Sequence, residues 1–384
     1  MNIDAKYDLI IAGAGLSGLS LAWYLAKGGY KGEVLIVDST FAPVNDKTWC
    51  FWSNGEAPFE QIIFQSWSNS FISALDYSNV EELVSYSYHC IRSGDFREFV
   101  LKSLKSFRNF TLLEEDILDF SSNSKKAALI TKSGDTYLAN QIYQSVKKPK
   151  ELKKKKISDA LIQHFLGYEI RTKEEIFDPH TFTLMDFDEA FGDKGVAFMY
   201  VLPFETNRAL LEYTIFSASP LDKDDYRDKI NDYLKRRYNI GPDQFEISRE
   251  EYGEIPMEIR PYIPYYEQNV INMGTVGGLT KPSTGYTFIR IQEYTRKEAA
   301  RIIAGESPKP PERNNKRFEF YDSLLLNILA NHSEIGVKIF RDLFDRNNVD
   351  EVFKFLGEET SLLQDLKIMS SVPYIPFIKA IFNR

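Results

Sequence analysis

The chain has 384 residues, 43% of them apolar and 14% aromatic, with a formal net charge of −8. That length holds two domains or one large interleaved pair, and an acidic chain lacks the basic footprint of a nucleic-acid binder. Two cysteines, Cys50 and Cys90, cannot build a disulfide framework, so a reducing cytoplasm is the default, and the scattered His89, His164, His180 and His332 offer no ligand spacing for a metal.

Met1-Asn2-Ile3-Asp4 is short and polar, so no signal peptide is expected, and no run of about eighteen apolar residues is present to span a membrane. Asp8-Leu9-Ile10-Ile11-Ala12 is an apolar, branched run with the length of a buried parallel strand. Gly13-Ala14-Gly15-Leu16-Ser17-Gly18 follows, then a helix predicted over 19–26 that stops at Gly28-Gly29, where a left-handed cap is cheap. A second strand, 34–37, ends in Asp38, about twenty positions past Gly18. The spacing has a mechanism. Gly13 allows the tight turn, Gly15 lets the backbone approach a pyrophosphate, and Gly18 lets the helix pack on the strand. The helix N-terminus faces the phosphates, and Asp38 can accept from the ribose hydroxyls. This stretch alone does not separate NAD from FAD.

Asn45-Asp46-Lys47-Thr48-Trp49-Cys50-Phe51-Trp52 comes next, an aromatic cluster that is either a domain-interface core or the wall of an apolar pocket. A helix is predicted over 96–107, with Phe96, Phe99, Val100 and Leu104 on one face and Asp95 as its cap. Residues 127–131 and 136–139, joined by Ser133-Gly134-Asp135, read as a hairpin. The run 147–156, with seven lysines around Pro149, Glu151 and Leu152, is a solvated connector or an anionic lipid contact. Strands are predicted at 167–170, 182–185, 195–202 and 209–216, and a helix over 222–238.

A strand at 270–273 leads into Gly274-Thr275-Val276-Gly277-Gly278, then Pro282-Ser283-Thr284-Gly285 and a long helix through 303. A second phosphate-friendly turn so far along the chain implies that the nucleotide domain is discontinuous. Residues 306–316 are a linker, and 318–384 read as helical. The apolar tail 372–382 either packs on the body or lies in a membrane interface.

Lys47-Thr48-Trp49 with Phe51-Trp52, Gln163-His164-Phe165, Leu202-Pro203-Phe204, Leu211-Glu212-Tyr213-Thr214, Glu254-Ile255-Pro256-Met257 and Pro282-Ser283-Thr284-Gly285-Tyr286 follow one another along the chain. In this order they resemble the FAD-dependent lycopene cyclases of the bacterial β-cyclase branch. The resemblance spans roughly residues 7–300. It implies an α/β fold: a Rossmann-type FAD-binding domain from 1–150 and 255–305, a β-rich substrate domain from 151–254, and a helical C-terminal region from 306–384.

It also implies FAD, active when reduced, with NAD(P)H as reductant. Gly13, Gly15, Gly18, Asp38, Arg92, Gly274, Gly277, Gly278, Thr284 and Gly285 are the expected cofactor residues, and Gly274-Thr275 stands where related flavoproteins have Gly-Asp. The implied substrate is lycopene, held by Trp49, Trp52 and Phe204 and converted to β-rings by protonation and proton loss. The implied location is cytoplasmic, peripheral on the inner membrane. The implied acid is Glu212, on an otherwise apolar strand where burial keeps a carboxyl protonated. Plant-type members carry a second acid directly after it, and here that residue is Tyr213, which leaves Glu212 to act alone or with a distant base. Glu258 and Arg260 are either near the pocket mouth or an exposed ion pair. The competing readings are a redox flavoenzyme of the same fold, a monooxygenase or an isoprenoid-chain reductase, and a non-catalytic nucleotide-binding or membrane scaffold protein.

Overall fold

The computed structural model describes residues 6–147, 160–188, 195–259, 263–312 and 315–382. The first apolar run forms β1 (Lys6–Ala12), followed by α1 (Leu16–Lys27) and β2 (Val34–Asp38). α1 starts ahead of residue 19 because the glycine turn itself winds into the first helical turn, with Gly15 as N-cap. At its other end Gly28 is still right-handed, and Gly29 takes the left-handed conformation (φ 80°).

β3 (Thr48–Ser53), β4 (Gln65–Trp67), β5 (Asn69–Ala74), β6 (Tyr77–Glu82) and β7 (Ser87–Arg92) come next. Their mixed polar sequences carry little of the branched, alternating pattern that marks a strand in advance. α2 (Ser93–Leu104) also begins earlier than expected. Asp95 is therefore inside its first turn and not its cap. Asn45 Oδ1 caps the turn instead, accepting from the N–H groups of Gly94 (2.7 Å) and Asp95 (3.3 Å).

β8 (Phe110–Glu114), β9 (Ile117–Ser122), β10 (Ala127–Thr131) and β11 (Thr136–Gln144) follow, the last two forming the expected hairpin. Then come β12 (Leu161–Thr172), β13 (Thr181–Phe187), β14 (Val196–Glu205) and β15 (Arg208–Ser217). α3 (Lys223–Tyr238), β16 (Phe245–Met257), β17 (Tyr265–Glu267), β18 (Val270–Asn272) and α4 (Phe288–Ile303) follow. The C-terminal helices are α5 (Lys316–Asn331), α6 (Ser333–Arg346), α7 (Val349–Leu356), α8 (Leu362–Ser371) and α9 (Tyr374–Phe382).

The strands make three sheets. The first has the order β17-β18-β11-β1-β2-β8, with β10 and β9 attached through β11, and its β18-β11-β1-β2-β8 core is parallel. β18 thus completes the nucleotide sheet from far along the chain. The second is β16-β12-β15-β14-β13-β5-β6, and β3-β7-β4 is a small third. β5 and β6 fall within the stretch read as nucleotide domain, yet they pair onto the second sheet through β13.

Both faces of the second sheet are covered. Leu211, Tyr213 and Ile215 pack with Tyr226, Ile230 and Tyr233 of α3, while Leu210 and Phe216 share a core with Leu324, Leu343 and Phe353 of the C-terminal helices. Because side chains alternate along a strand, Glu212 faces the second of these layers and Tyr213 the first. No helix among the described residues is long and apolar enough to cross a membrane. Most of the lysine run (148–156) and Arg260 lie outside the described residues.

Candidate active site

The glycine turn shapes a cradle. Gly13 is left-handed (φ 104°), and a Cβ on Gly18 would lie 1.9 Å from the Gly13 carbonyl oxygen, so only glycine lets α1 settle on β1. A Cβ on Gly15 would meet nothing within 4 Å. Open space therefore fronts the N-terminus of α1, which has no side-chain cap of its own. Asp38 closes the turn by accepting from the Ala14 N–H. The second glycine loop comes in from the other side: Gly274 (φ 66°) approaches Ser17 so closely that a Cβ would lie 2.7 Å from its Oγ.

A cavity of about 810 Å³ takes in this cradle, with Gly15 and Gly274 in its lining together with residues of the second sheet and Phe377 and Ile381 of α9. Its walls include Trp49, Phe198, Phe216 and Phe344. Two polar atoms among its lining residues, Thr284 Oγ1 and Gln163 Oε1, are buried without a hydrogen-bond partner. Unmet buried groups are costly in a closed protein and are satisfied by a polar ligand. With the cradle, they fit a dinucleotide.

Glu212 lies further in, 8% exposed. Across the sheet, Gly167 of β12 is paired with Glu212 of β15 on one side and with Glu251 of β16 on the other, and Tyr200 of β14 is paired with Glu212. Four residues from four strands thus stand in one row. Gly167 has no side chain, and its missing Cβ would lie 2.6 Å from Glu212 Cγ, so Glu212 lies over the glycine.

Burial pushes the Glu212 carboxyl well above its ordinary value, the Glu251 charge adds to this, and Arg249 opposes both. Burial also raises Glu251, but Arg249 and Thr48 pull against it. Glu212 is the member that keeps a proton, because its oxygens accept no hydrogen bond from the described residues while Glu251 accepts three. Beside the pair, the Tyr88 hydroxyl bonds those of Tyr200 and Tyr286, each at 2.8 Å. Burial raises all three phenols and the Cys50 thiol, which therefore stay neutral. The arrangement is a buried carboxyl, raised well above its ordinary value, on the wall of a largely apolar cavity that also takes in the glycine cradle.

The sequence profile of the lycopene cyclase protein family matches residues 8–381. The chain belongs to the lycopene cyclase family. It is 24% identical over 292 residues to a lycopene β-cyclase of Pseudescherichia vulneris, covering 73% of this chain and 70% of that one. It is 21% identical to the lycopene β-cyclase of Pantoea ananas, covering 99% of this chain and 98% of that protein. Its fold is that of flavoproteins. A geranylgeranyl bacteriochlorophyll reductase-like protein of Thermoplasma acidophilum superposes with a TM-score of 0.61 at 12% identity, over 98% of this chain and 99% of that one. The flavin-dependent brominase Bmp2 gives a TM-score of 0.61 at 14% identity, over 99% of both chains.

Within this cyclase-family fold the residues expected from sequence divide clearly. Gly15, Gly274, Thr284, Gly285, Trp49 and Glu212 line the cavity. Gly13, Gly18 and Gly277 shape the loops behind it, a Cβ on Gly277 lying 2.6 Å from the Asn272 carbonyl oxygen, and Gly278 is a left-handed turn residue (φ 78°). Arg92 is engaged elsewhere, bonding Asp95 (2.9 Å) and lying 3.8 Å over the Phe64 ring, and Arg97 is the arginine on the cavity wall.

Trp52 and Phe204 are core residues and not cavity lining: Trp52 stacks on Phe353 at 4.6 Å, and Phe204 meets Phe64 edge-on at 4.9 Å. Glu251, Arg249 and Tyr88 were not singled out by sequence reasoning, and Tyr286 entered only as the last residue of a motif. Glu251 sits in Arg249-Glu250-Glu251, a charged run that reads as an exposed face, and β16 alone gave no alternation to separate its inward residue.

Proposed function

We propose that the protein closes the linear ends of lycopene into β-rings, with no net gain or loss of electrons. The observation that carries this reading is Glu212, a buried carboxyl held protonated on the wall of a large apolar cavity. Its proton passes to the terminal alkene and leaves a tertiary cation. The next double bond attacks that cation, the new carbon–carbon bond closes the ring, and the neighbouring carbon releases a proton to restore a double bond. One proton enters and one leaves, so the product is an isomer of the substrate.

A cation in a dry chamber is exposed to every nearby charge. The neutral tyrosine and cysteine side chains around Glu212 offer no strong nucleophile to trap it, and the aromatic walls exclude water that would quench it. The cradle of Gly15, Gly274, Thr284 and Gly285 fits the phosphates of FAD. Bound in its reduced form, with NAD(P)H as electron source, FAD would supply negative charge that stabilises the cation.

A hydrocarbon substrate resides in lipid, which favours peripheral docking on the inner membrane. In support, α8 and α9 present Leu363 (80% exposed) and Phe382 (84% exposed) to the outside, while Phe377, Ile378 and Ile381 of α9 line the cavity.

The test is expression in bacteria that accumulate lycopene, followed by chromatography of the pigments. Loss of lycopene with appearance of γ- or β-carotene is the expected result. Unchanged lycopene from folded, flavin-loaded protein overturns it in favour of a redox flavoenzyme.

A further inference from the structure

The second carboxylate of the row is the better anchored. Glu251, 2% exposed, accepts at Oε1 from the Thr48 N–H (2.7 Å), and at Oε2 from the Thr48 hydroxyl (2.8 Å) and Arg249 Nη1 (2.7 Å). Arg249 is fixed in turn by Glu169 Oε2 (3.0 Å) and the Asn45 carbonyl (3.1 Å), and Glu169 also holds Arg208. Three donors on one carboxylate favour its ionised form. Glu212, across Gly167, has no such donors among the described residues.

The other groups facing the pair are Cys50 of β3, Cys90 of β7, and the linked phenols of Tyr88, Tyr200 and Tyr286. Burial keeps all five neutral, so Glu251 and Arg249 are the charges that act on Glu212. Without Glu251, the Arg249 charge would be offset by Glu169 alone and would bear more strongly on Glu212, favouring loss of its proton.

We propose that Glu251 is the positioning residue of the acid, a fixed anion that confines the single proton of the carboxyl pair to Glu212. The consequence for catalysis rests on the cyclase reading, but the location of the proton does not. Tyr213, directly after Glu212, points into the layer under α3, so the second acid of this site comes from another strand and not from the next position in the chain.

The test is infrared titration of carboxyl groups in the purified full-length protein. At pH 7 the spectrum of the unsubstituted protein minus that of Glu212→Gln contains a protonated-carboxyl band. Its absence overturns the proposal without any Glu251 variant. In Glu251→Gln the same band titrates away at least about one pH unit lower, a tenfold fall in protonated fraction above the midpoint. Glu251→Asp, which keeps the charge, recovers most of that shift. An unchanged midpoint in folded Glu251→Gln, checked by circular dichroism, overturns the assignment.

The alkaline limb of lycopene conversion moves down in pH by the same amount in Glu251→Gln. If the infrared result holds while no variant or parent converts lycopene, the cyclase reading fails and the proton assignment stands. If conversion occurs but Glu251→Gln leaves the band in place, Glu251 has only a structural role.

Discussion

Gly167 and Glu212 are cross-strand partners, and the space a Gly167 side chain would fill is taken by the Glu212 side chain, whose Cγ is 2.6 Å from the missing Cβ. The glycine is thus part of the acid's geometry. Gly167→Ala must displace Glu212 or distort β12, at an overpacking cost of about 1–3 kcal/mol. A large loss of lycopene conversion with flavin still bound is expected, read from pigment chromatography and the visible flavin spectrum of the same preparation. Full activity in Gly167→Ala would mean that the acid does not need its place over the glycine.

Glu212→Gln keeps shape and removes the transferable proton, so conversion is expected to fall by about 10²–10⁴-fold, the usual contribution of a positioned acid. The same substitution has a signature in stability. The unfolded chain loses the Glu212 proton near the ordinary carboxyl value of 4.5, whereas the folded protein retains it to a higher pH. The folded state then binds more protons, and stability falls as pH rises from the unfolded value towards the folded one. Melting temperatures measured across that window should decline in the parent more steeply than in Glu212→Gln. Parallel curves would show that Glu212 is ionised in the folded protein.

Gly15 has ordinary backbone angles (φ −81°, ψ −168°) and open space where its Cβ would stand. Gly15→Val should therefore fold with a nearly unchanged melting temperature, yet place two methyl groups where a pyrophosphate would lie. Purified Gly15→Val is expected to be colourless while the parent carries flavin absorbance. Yellow Gly15→Val would move the phosphates elsewhere.

Lys281, in the loop before Thr284, is buried with Asp322 of α5 at 3.0 Å and Glu358 at 3.1 Å, and Ser283 bonds Asp322 at 2.6 Å. This network ties the second glycine-loop region to the C-terminal helices. Removing one partner of a buried pair strands the other, so Asp322→Ala is expected to cost about 3 kcal/mol, with Glu358 limiting the loss. Chemical denaturation measures it. A change within error would mean that Glu358 alone suffices.

Much of the local structure was legible in the sequence. The glycine turn, its flanking strands, the hairpin closing on β11 and the strand that carries Glu212 depend on residues a few positions apart, whose spacing sets period and turn chemistry. Glu212 was reached through the resemblance to the cyclases, because one charge in an apolar strand reads equally as the outward-facing residue of a half-exposed strand, and the layers on both faces of that strand came only with the fold. Thr284 and Gly285 came from a glycine-containing turn ahead of a helix and from the same resemblance, and the structure adds that Gly285 is left-handed (φ 73°).

The partners of these residues were decided at a distance. Glu251 is brought to Glu212 by the register of three strands, and β16 pairs with β12 although about eighty positions separate Glu169 from Arg249. Trp49 and Trp52 look alike in the chain, yet Trp49 lines the cavity and Trp52 stacks in the core under α7, because the faces of β3 look towards different layers. Arg92 turned to Asp95 and Phe64 once α2 began at Ser93, and β5 and β6 left the nucleotide half to extend the second sheet. Periodicity along a chain determines which side chains are apolar together. Only pairing between strands, and the burial it imposes, determines which carboxylate meets which, and therefore where the proton resides.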